Sequence, residues 1–182
     1  MKKLLALLAF SLLIVGCQAD TDDTSASDQT DEATVVEENQ QDINTIIEDG
    51  RYFEINGAIT ALTEADLTEE EIATIKETTA EKLIEEVDTL TESFISGDLD
   101  VNTYGNTLTD FETIELDGVP EKASAAREEN SELITSRQAF KDGEKFLEIE
   151  YVDMAKTEFE KVIESDVRYD EAQAHLDDIN NM

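Results

Sequence analysis

The sequence is poor in the residues on which most catalytic and metal-binding motifs depend. Its 182 residues include one cysteine, one histidine and no tryptophan. One cysteine forms no disulfide within a chain, and no group of His and Cys has the spacing of a zinc site. No pairing of nucleophile and base and no glycine-rich phosphate loop can be identified either. We therefore predict that the protein is not an enzyme, has no catalytic residues and uses no metal or cofactor.

Basic residues are also scarce, which limits the classes of partner. Lys and Arg number 13 against 46 Asp and Glu, giving a formal net charge of −33 at pH 7. The phosphates of nucleic acids and of anionic lipids repel a body of that charge. We predict no nucleic-acid partner and no electrostatic attachment to lipid. A salty or alkaline exterior would suit such a surface, because salt shortens the range of the repulsion.

Proline and strand-like alternation are nearly absent, whereas helical periodicity is strong from about residue 43 onward. The only proline is Pro120, and apolar residues recur three or four positions apart. Thr68 and Glu71 have the spacing of a capping box, and Gly97 follows the last apolar residue of that helix. The predicted fold class is all-α, an antiparallel array of helices with short loops. The last three helices are predicted near residues 120–148, 152–164 and 169–179.

The N-terminal residues have the layout of a secretory signal peptide. Lys2 and Lys3 precede an apolar run from Leu4 to Gly16, which only Ser11 interrupts. These 13 residues are too few to span a bilayer as a stable helix. The sequence therefore predicts export of the protein from the cytoplasm.

Residues 14–17, which read Ile-Val-Gly-Cys, resemble the bacterial lipobox, and Cys17 stands at the position that the lipobox modifies. The resemblance implies a diacylglycerol group on Cys17, removal of residues 1–16, and a lipid anchor at the extracytoplasmic face of the cell membrane. Two acyl chains suffice for firm anchoring, at about 0.8 kcal/mol per buried CH₂. An ordinary secretory signal with a chance cysteine is the alternative. A Gram-positive surface is favoured, and outer-membrane sorting in a two-membrane cell stays open.

The segment after the cysteine is predicted to be a disordered acidic spacer. Residues 18–42 contain nine acids, no Lys or Arg and no aromatic residue. Such a segment buries too little apolar surface to order itself. The predicted organisation is thus a signal peptide (1–16), a lipidated cysteine with its spacer (17–42) and a helical domain (43–182).

Residues 136–169 have a spacing of small and aromatic residues that is typical of a closely packed helix pair. Gly143 stands twelve residues before Ala155, and Phe159 follows one turn later. This pattern resembles one tetratricopeptide repeat, followed by the start of a capping helix. The resemblance implies close approach of two antiparallel helices, since one small position has no side chain and the other only a methyl group. The implied packing positions are Gly143, Phe146, Ala155, Phe159 and Val162.

The segment also departs from that pattern. Ile149, Glu150 and Tyr151 occupy the turn, where Gly or Asn is usual, and Val167 replaces a common proline. A single unit cannot form the concave groove that three or more repeats make. The alternative is an ordinary helical hairpin whose small residues serve packing alone.

Two further sets of residues have chemistry to weigh. Asp98, Asp100 and Asn102 alternate like the first ligands of a calcium loop, but the glycine and glutamate that the loop requires are missing. We predict instead that Asp100 or Asn102 caps the next helix. His175, on the last predicted helix, is expected at the surface or in a C-terminal turn.

These observations favour a lipid-anchored extracytoplasmic interaction protein, a scaffold or adaptor without catalytic activity. Its partner would be an unknown envelope protein or peptide that docks on helices 136–182. The chain as a whole also looks like the acidic helical lipoproteins of Gram-positive bacteria. The alternative is an acidic envelope coat or cation-binding surface protein with no discrete partner, which salt dependence would distinguish.

Overall fold

The structure, a computed structural model, describes residues 28–181, with side chains described from residue 35 onward. Every regular element in this range is helical, which confirms the predicted all-α class. The predicted signal peptide and Cys17 lie outside the described residues. Within residues 28–181, no helix is both long enough and apolar enough to span a membrane.

Eight α-helices and one 3-10 helix follow one another along the described part of the chain, joined by short loops. The bounds are α1 Asp28–Glu48, the 3-10 helix Tyr52–Glu54, α2 Ile55–Ala61, α3 Glu69–Ser96, α4 Val101–Glu112, α5 Val119–Glu129, α6 Ser131–Glu148, α7 Val152–Phe159 and α8 Tyr169–Asn180.

Helix α3 begins and ends where the sequence predicts. The Thr68 hydroxyl accepts a hydrogen bond from Glu71 N at 3.3 Å, and the Glu71 carboxylate accepts one from Thr68 N at 2.7 Å. This confirms the capping box. At the other end Gly97 has φ +89°, the left-handed conformation in which a helix ends most easily on glycine.

The first helix begins earlier than predicted. Helix α1 starts at Asp28, so it covers residues 28–42 of the predicted spacer. Ile43 and Ile47 are buried, and Val36 packs against the same core. These three residues are seven and four positions apart, so they fall on one face of a helix. Packing of that face against α3 compensates for the polar composition that suggested a spacer.

Two later boundaries also differ from the prediction. The long helix predicted for residues 120–148 is divided at Asn130, which has φ −102° and ψ 12°. Its side-chain amide donates to Ala126 O at 2.8 Å, so the side chain binds a carbonyl at the end of α5. Helix α7 ends at Phe159 and not near residue 164.

Buried apolar side chains form two clusters in the described part of the chain. The N-terminal core contains 20 buried residues between Ile43 and Ala126, including the stacked rings of Phe94 and Tyr104 at 4.2 Å. The C-terminal core contains six: Phe140, Ala155, Phe159, Val162, Ala172 and Leu176. Helix α6 joins the two clusters, because Leu133 and Ile134 pack against the first and Phe140 belongs to the second.

Candidate functional site

Helices α6 and α7 are in close contact at Gly143. A Cβ atom built on this residue would lie 2.7 Å from Phe159 Cε1, closer than side chains pack. The ring of Phe159 therefore occupies the space that a side chain at position 143 would need. Gly143, Ala155, Phe159 and Val162, four of the five positions implied by the repeat resemblance, are buried.

Phe146, the fifth implied position, is only half-buried at the edge of the C-terminal core. Phe140 is buried instead and meets the Phe159 ring edge to face at 5.7 Å. The His175 ring stacks on the Phe159 ring, with the two ring centroids 4.7 Å apart and an interplanar angle of 15°. The predicted surface location of His175 is thus only partly right, because the ring is half-buried on an aromatic neighbour.

A buried ion pair joins the C-terminal helices to the end of α3. Arg137 Nε lies 2.5 Å from Asp166 Oδ1, and the two residues are 7% and 3% exposed. The same guanidinium donates to Phe94 O at 3.0 Å and to Ile95 O at 3.2 Å. It also lies 5.1 Å from the centroid of the Phe94 ring. Arg137 therefore binds two carbonyls near the C-terminal end of α3, where backbone acceptors lack the usual helical donors. Phe94 O also accepts from Gly97 N at 3.1 Å.

Both oxygens of the Asp166 carboxylate also accept hydrogen bonds from other groups. Ser136 Oγ donates to Asp166 Oδ2 at 2.6 Å, and Arg168 N donates to Asp166 Oδ1 at 3.0 Å. The Ser136 hydroxyl in turn accepts from Ile163 N at 3.2 Å. Buried charges are tolerated where each is paired and hydrogen-bonded in this way. The Arg137–Asp166 network therefore fixes the loop after α7 against α6.

A cleft of about 320 Å³ opens beside this network, between the α3–α4 loop and helix α6. Lys141 and Arg168 line it together with Arg137, an unusual concentration of cations in so acidic a chain. Lys141 Nζ lies 3.0 Å from Asp100 Oδ2, and an Arg168 nitrogen lies 2.8 Å from Glu171 Oε2. Each cation thus has a carboxylate partner already, so the cleft offers an anion little uncompensated positive charge.

Asp100, the residue weighed as a calcium ligand, caps helix α4. Its Oδ1 atom accepts hydrogen bonds from Asn102 N at 2.9 Å and from Thr103 N at 3.3 Å. The hydrogen bond from Lys141 is the main cause that lowers the pKa of the Asp100 carboxyl below its usual value, and the two backbone N–H groups add to it. The capping prediction is confirmed for Asp100.

A second group of titratable side chains lies between helices α6 and α8. Glu144 on α6 and Glu171 and His175 on α8 each place a donor atom within 4.8 Å of the other two. Glu171 and His175 are four residues apart, so they share one face of α8. Both carboxylates are exposed and the imidazole is half-buried. Two helices thus converge on a small set of oxygen and nitrogen donors.

Three apolar side chains are exposed where α6 meets α7: Ile149 and Tyr151 lie between the helices and Met154 lies in the first turn of α7. We call these three residues the hairpin tip. Their exposed fractions are 57%, 57% and 49%. Glu150 within the turn has φ +62°, a left-handed conformation that favours glycine. Tyr151 N donates to Phe146 O at 2.8 Å, and Glu150 N donates to Leu147 O at 3.0 Å. These bonds close the end of α6 and direct the tip outward.

No protein-family model, curated protein or solved structure matches this chain. Its own geometry therefore indicates its function. Two parts of that geometry were missed at the sequence level. The spacing Glu171-x-x-x-His175 was a signal that could have been noticed, since it places both side chains on one helix face. The Arg137–Asp166 pair carried no such signal, because its members are 29 residues apart and meet only in the folded chain.

Proposed function

We propose that this protein is a lipid-anchored extracytoplasmic interaction protein whose α6–α7 hairpin receives a protein partner. The observation that carries the proposal is the hairpin tip. Ile149, Tyr151 and Met154 stay exposed on a hairpin whose remaining apolar residues pack closely. Exposed apolar residues grouped within one turn are typical of protein-interaction sites, whereas scattered ones are ordinary.

The conformation of the turn supports the same proposal. A non-glycine residue in the left-handed region costs about 1–3 kcal/mol and occurs preferentially at functional positions. Glu150 has this conformation between two exposed apolar neighbours, Ile149 and Tyr151. The strained turn holds both neighbouring side chains away from the core and toward solvent.

The charges around the tip restrict the chemistry of the partner. Glu148, Glu150 and Asp153 are all exposed and alternate with the apolar residues of the tip. A complementary surface would have an apolar pocket bordered by Lys or Arg side chains. An anionic lipid surface would be repelled instead, which favours a protein over the membrane itself.

Anchoring by lipid rests on the sequence alone, because Cys17 lies outside the described residues. The only cysteine of the chain follows a lipobox-like tripeptide and a short apolar run. The proposal therefore includes a test of its own. Wild-type protein should partition with membranes, and Cys17→Ala should move the protein into the soluble fraction. Equal partitioning of the two would contradict the anchor without bearing on the hairpin tip.

The docking proposal is tested by affinity capture with the full chain in detergent, from native envelope extracts. The capture is carried out at low salt and again at about 1 M salt, where the Debye length is about 3 Å and diffuse charge binding fades. The tip variant combines Tyr151→Ser with Met154→Ser. The control is Phe53→Ser, which removes an aromatic ring that is 70% exposed on the 3-10 helix, away from the tip.

A partner retained by wild type and by the control, but lost by the tip variant, is the expected result. No retained protein, or equal retention by both variants, would contradict docking at the tip. Basic proteins and cations retained only at low salt would favour the acidic coat, the second candidate, which the net charge of −33 supports.

A further inference from the structure

We propose that Glu144, Glu171 and His175 form a binding site for one divalent transition-metal ion, of which Zn²⁺ is the representative. The site lies between α6 and α8 and goes beyond the proposed interaction function, on which it does not rest. It also differs from the sequence-level expectation of no metal. The three donor atoms lie within 4.8 Å of one another.

The geometry needs only a small adjustment to hold one ion. Zinc binds imidazole nitrogen and carboxylate oxygen at about 2.0–2.2 Å with tetrahedral angles, so neighbouring donors are about 3.4 Å apart. The donors of Glu144, Glu171 and His175, now at most 4.8 Å apart, must therefore close by at most about 1.4 Å. Both carboxylates are exposed, and one of them, Glu171, is paired with Arg168, so rotation of the side chains can supply this movement. Water would complete the coordination.

The imidazole distinguishes this group from an ordinary acidic cluster. Carboxylates alone favour Mg²⁺ and Ca²⁺, whereas imidazole favours Zn²⁺, Cu²⁺ and Ni²⁺. His175 is the only histidine of the chain, and it meets two carboxylates that come from different helices. The strongly negative surface adds a general attraction for cations, which raises their local concentration but selects none of them.

An independent feature holds the imidazole in place. The His175 ring stacks on Phe159 at 4.7 Å, and the Phe159 ring fills the space beside Gly143. Gly143 directly precedes Glu144, so the close approach of α6 and α7 also sets where the first carboxylate stands relative to the ring. A ligand whose orientation is fixed by its neighbours loses less freedom when it binds a metal.

Arg168 is the neighbouring group that competes with the ion. It donates to one oxygen of Glu171 at 2.8 Å, and the second carboxylate oxygen remains available. With the ion bound, two carboxylates balance its two positive charges. The metal would add a polar link between α6 and α8, two helices that already meet at Phe140 and His175, whose ring centroids are 6.2 Å apart.

The test measures Zn²⁺ binding to the full chain by titration calorimetry at high salt, which suppresses diffuse charge binding. Co²⁺ serves as a spectroscopic substitute, since its visible absorption reports tetrahedral coordination with nitrogen. Glu144→Gln removes one ligand. His175→Phe removes the imidazole nitrogen and keeps a ring to stack on Phe159, so the fold of the C-terminal core is preserved. Glu132→Gln, at the first turn of α6, is the control that removes the same charge from an exposed position.

We expect one Zn²⁺ per chain, with the dissociation constant raised at least tenfold by Glu144→Gln and by His175→Phe and unchanged by Glu132→Gln. The Co²⁺ spectrum should lose its tetrahedral band in His175→Phe. Zn²⁺ should also raise the melting temperature of wild type and not of His175→Phe. Several weak ions per chain, equal affinity for Mg²⁺, or the same affinity in all three variants would overturn the proposal.

Discussion

Replacement of Arg137 by methionine should sharply destabilise the junction of the two cores. The substitution keeps an apolar side chain of similar length next to Phe94 but removes the cation. Asp166, which is 3% exposed, is then left as a buried charge without a counter-ion. Near the end of α3, Ile95 O loses the donor that Arg137 supplies, and Phe94 O loses one of its two donors and keeps Gly97 N.

The magnitude follows from the burial of the pair. Removal of one partner of a buried ion pair costs about 3–5 kcal/mol, because the other charge stays in a medium of low dielectric constant. Domains of this size have unfolding free energies of about 5–15 kcal/mol, so the loss is a large fraction of the total. At about 2–4 °C per kcal/mol, the melting temperature should fall by roughly 6–20 °C.

The measurement is urea denaturation of the full chain, followed by far-UV circular dichroism. Arg51→Met is the matched control, because Arg51 pairs with Asp49 and Glu54 at the surface and should lose less than about 1 kcal/mol. The double variant Arg137→Met with Asp166→Asn should recover part of the loss. It removes the uncompensated charge and keeps an acceptor oxygen for Ser136.

Two results would refute this reasoning. If Arg137→Met destabilised the protein no more than Arg51→Met does, the buried pair would not be an energetically strong link. If the double variant were as unstable as the single one, the loss would come from packing or from the α3 carbonyls, and not from the charge left on Asp166.

Four further predictions concern single positions. Gly143→Ala should be about 1–3 kcal/mol less stable than Gly105→Ala in thermal denaturation. Both variants gain helix propensity, but only a Cβ at position 143 meets the Phe159 ring. Equal stability of the two variants would contradict the close approach of α6 and α7. Glu150→Gly should raise the unfolding free energy by about 1 kcal/mol by relieving a left-handed conformation, and a loss of stability would argue against that conformation. Thr79→Val should be neutral or stabilising in urea denaturation, because the buried Thr79 hydroxyl has no hydrogen-bond partner in residues 35–181, whereas a loss above about 1 kcal/mol would indicate an unseen partner. Asp100→Asn should make the stability of the protein fall less steeply below about pH 4. The pKa of Asp100 is lowered in the folded state, so the ionised carboxylate stabilises the fold above the unfolded pKa of about 3.9. This stabilisation is lost as the pH falls through the folded-state pKa. An unchanged acid profile by circular dichroism would show that other carboxyls dominate.

The sequence predicted helices well where local chemistry decides them. Thr68 and Glu71 define the start of α3 through their own side chains, and Gly97 defines its end through its backbone. Asp100 caps α4 with the two N–H groups that follow it. Each of these interactions spans only a few residues, so the pattern in the sequence contains all the partners that matter.

Prediction was weaker where distant residues decide the result. The break at Asn130 follows a run of good helix formers, and it separates α5, which packs on the N-terminal core, from α6, which extends to the C-terminal core. Helix α1 gains its stability from contact with α3, which a composition of acids and Thr does not reveal. The group of Glu144, Glu171 and His175 depends on how α8 packs beside α6. Only the spacing of Glu171 and His175 could be recognised in the sequence.

The unequal size of the two cores determines which part of the protein can exist without the other. We expect the cluster of 20 buried apolar residues to fold as a unit, and the C-terminal core of six to be too small to stabilise a domain of about 50 residues alone. The C-terminal helices therefore depend for their stability on the N-terminal core, to which α6 connects them. We expect a chain that ends after the first half of α6 to keep most of its structure, because Leu133 and Ile134 still pack on the N-terminal core. We expect the isolated C-terminal piece to remain unfolded. We therefore expect the fold of the N-terminal core to tolerate insertions into the C-terminal helices, or their replacement, as long as the first half of α6 is kept.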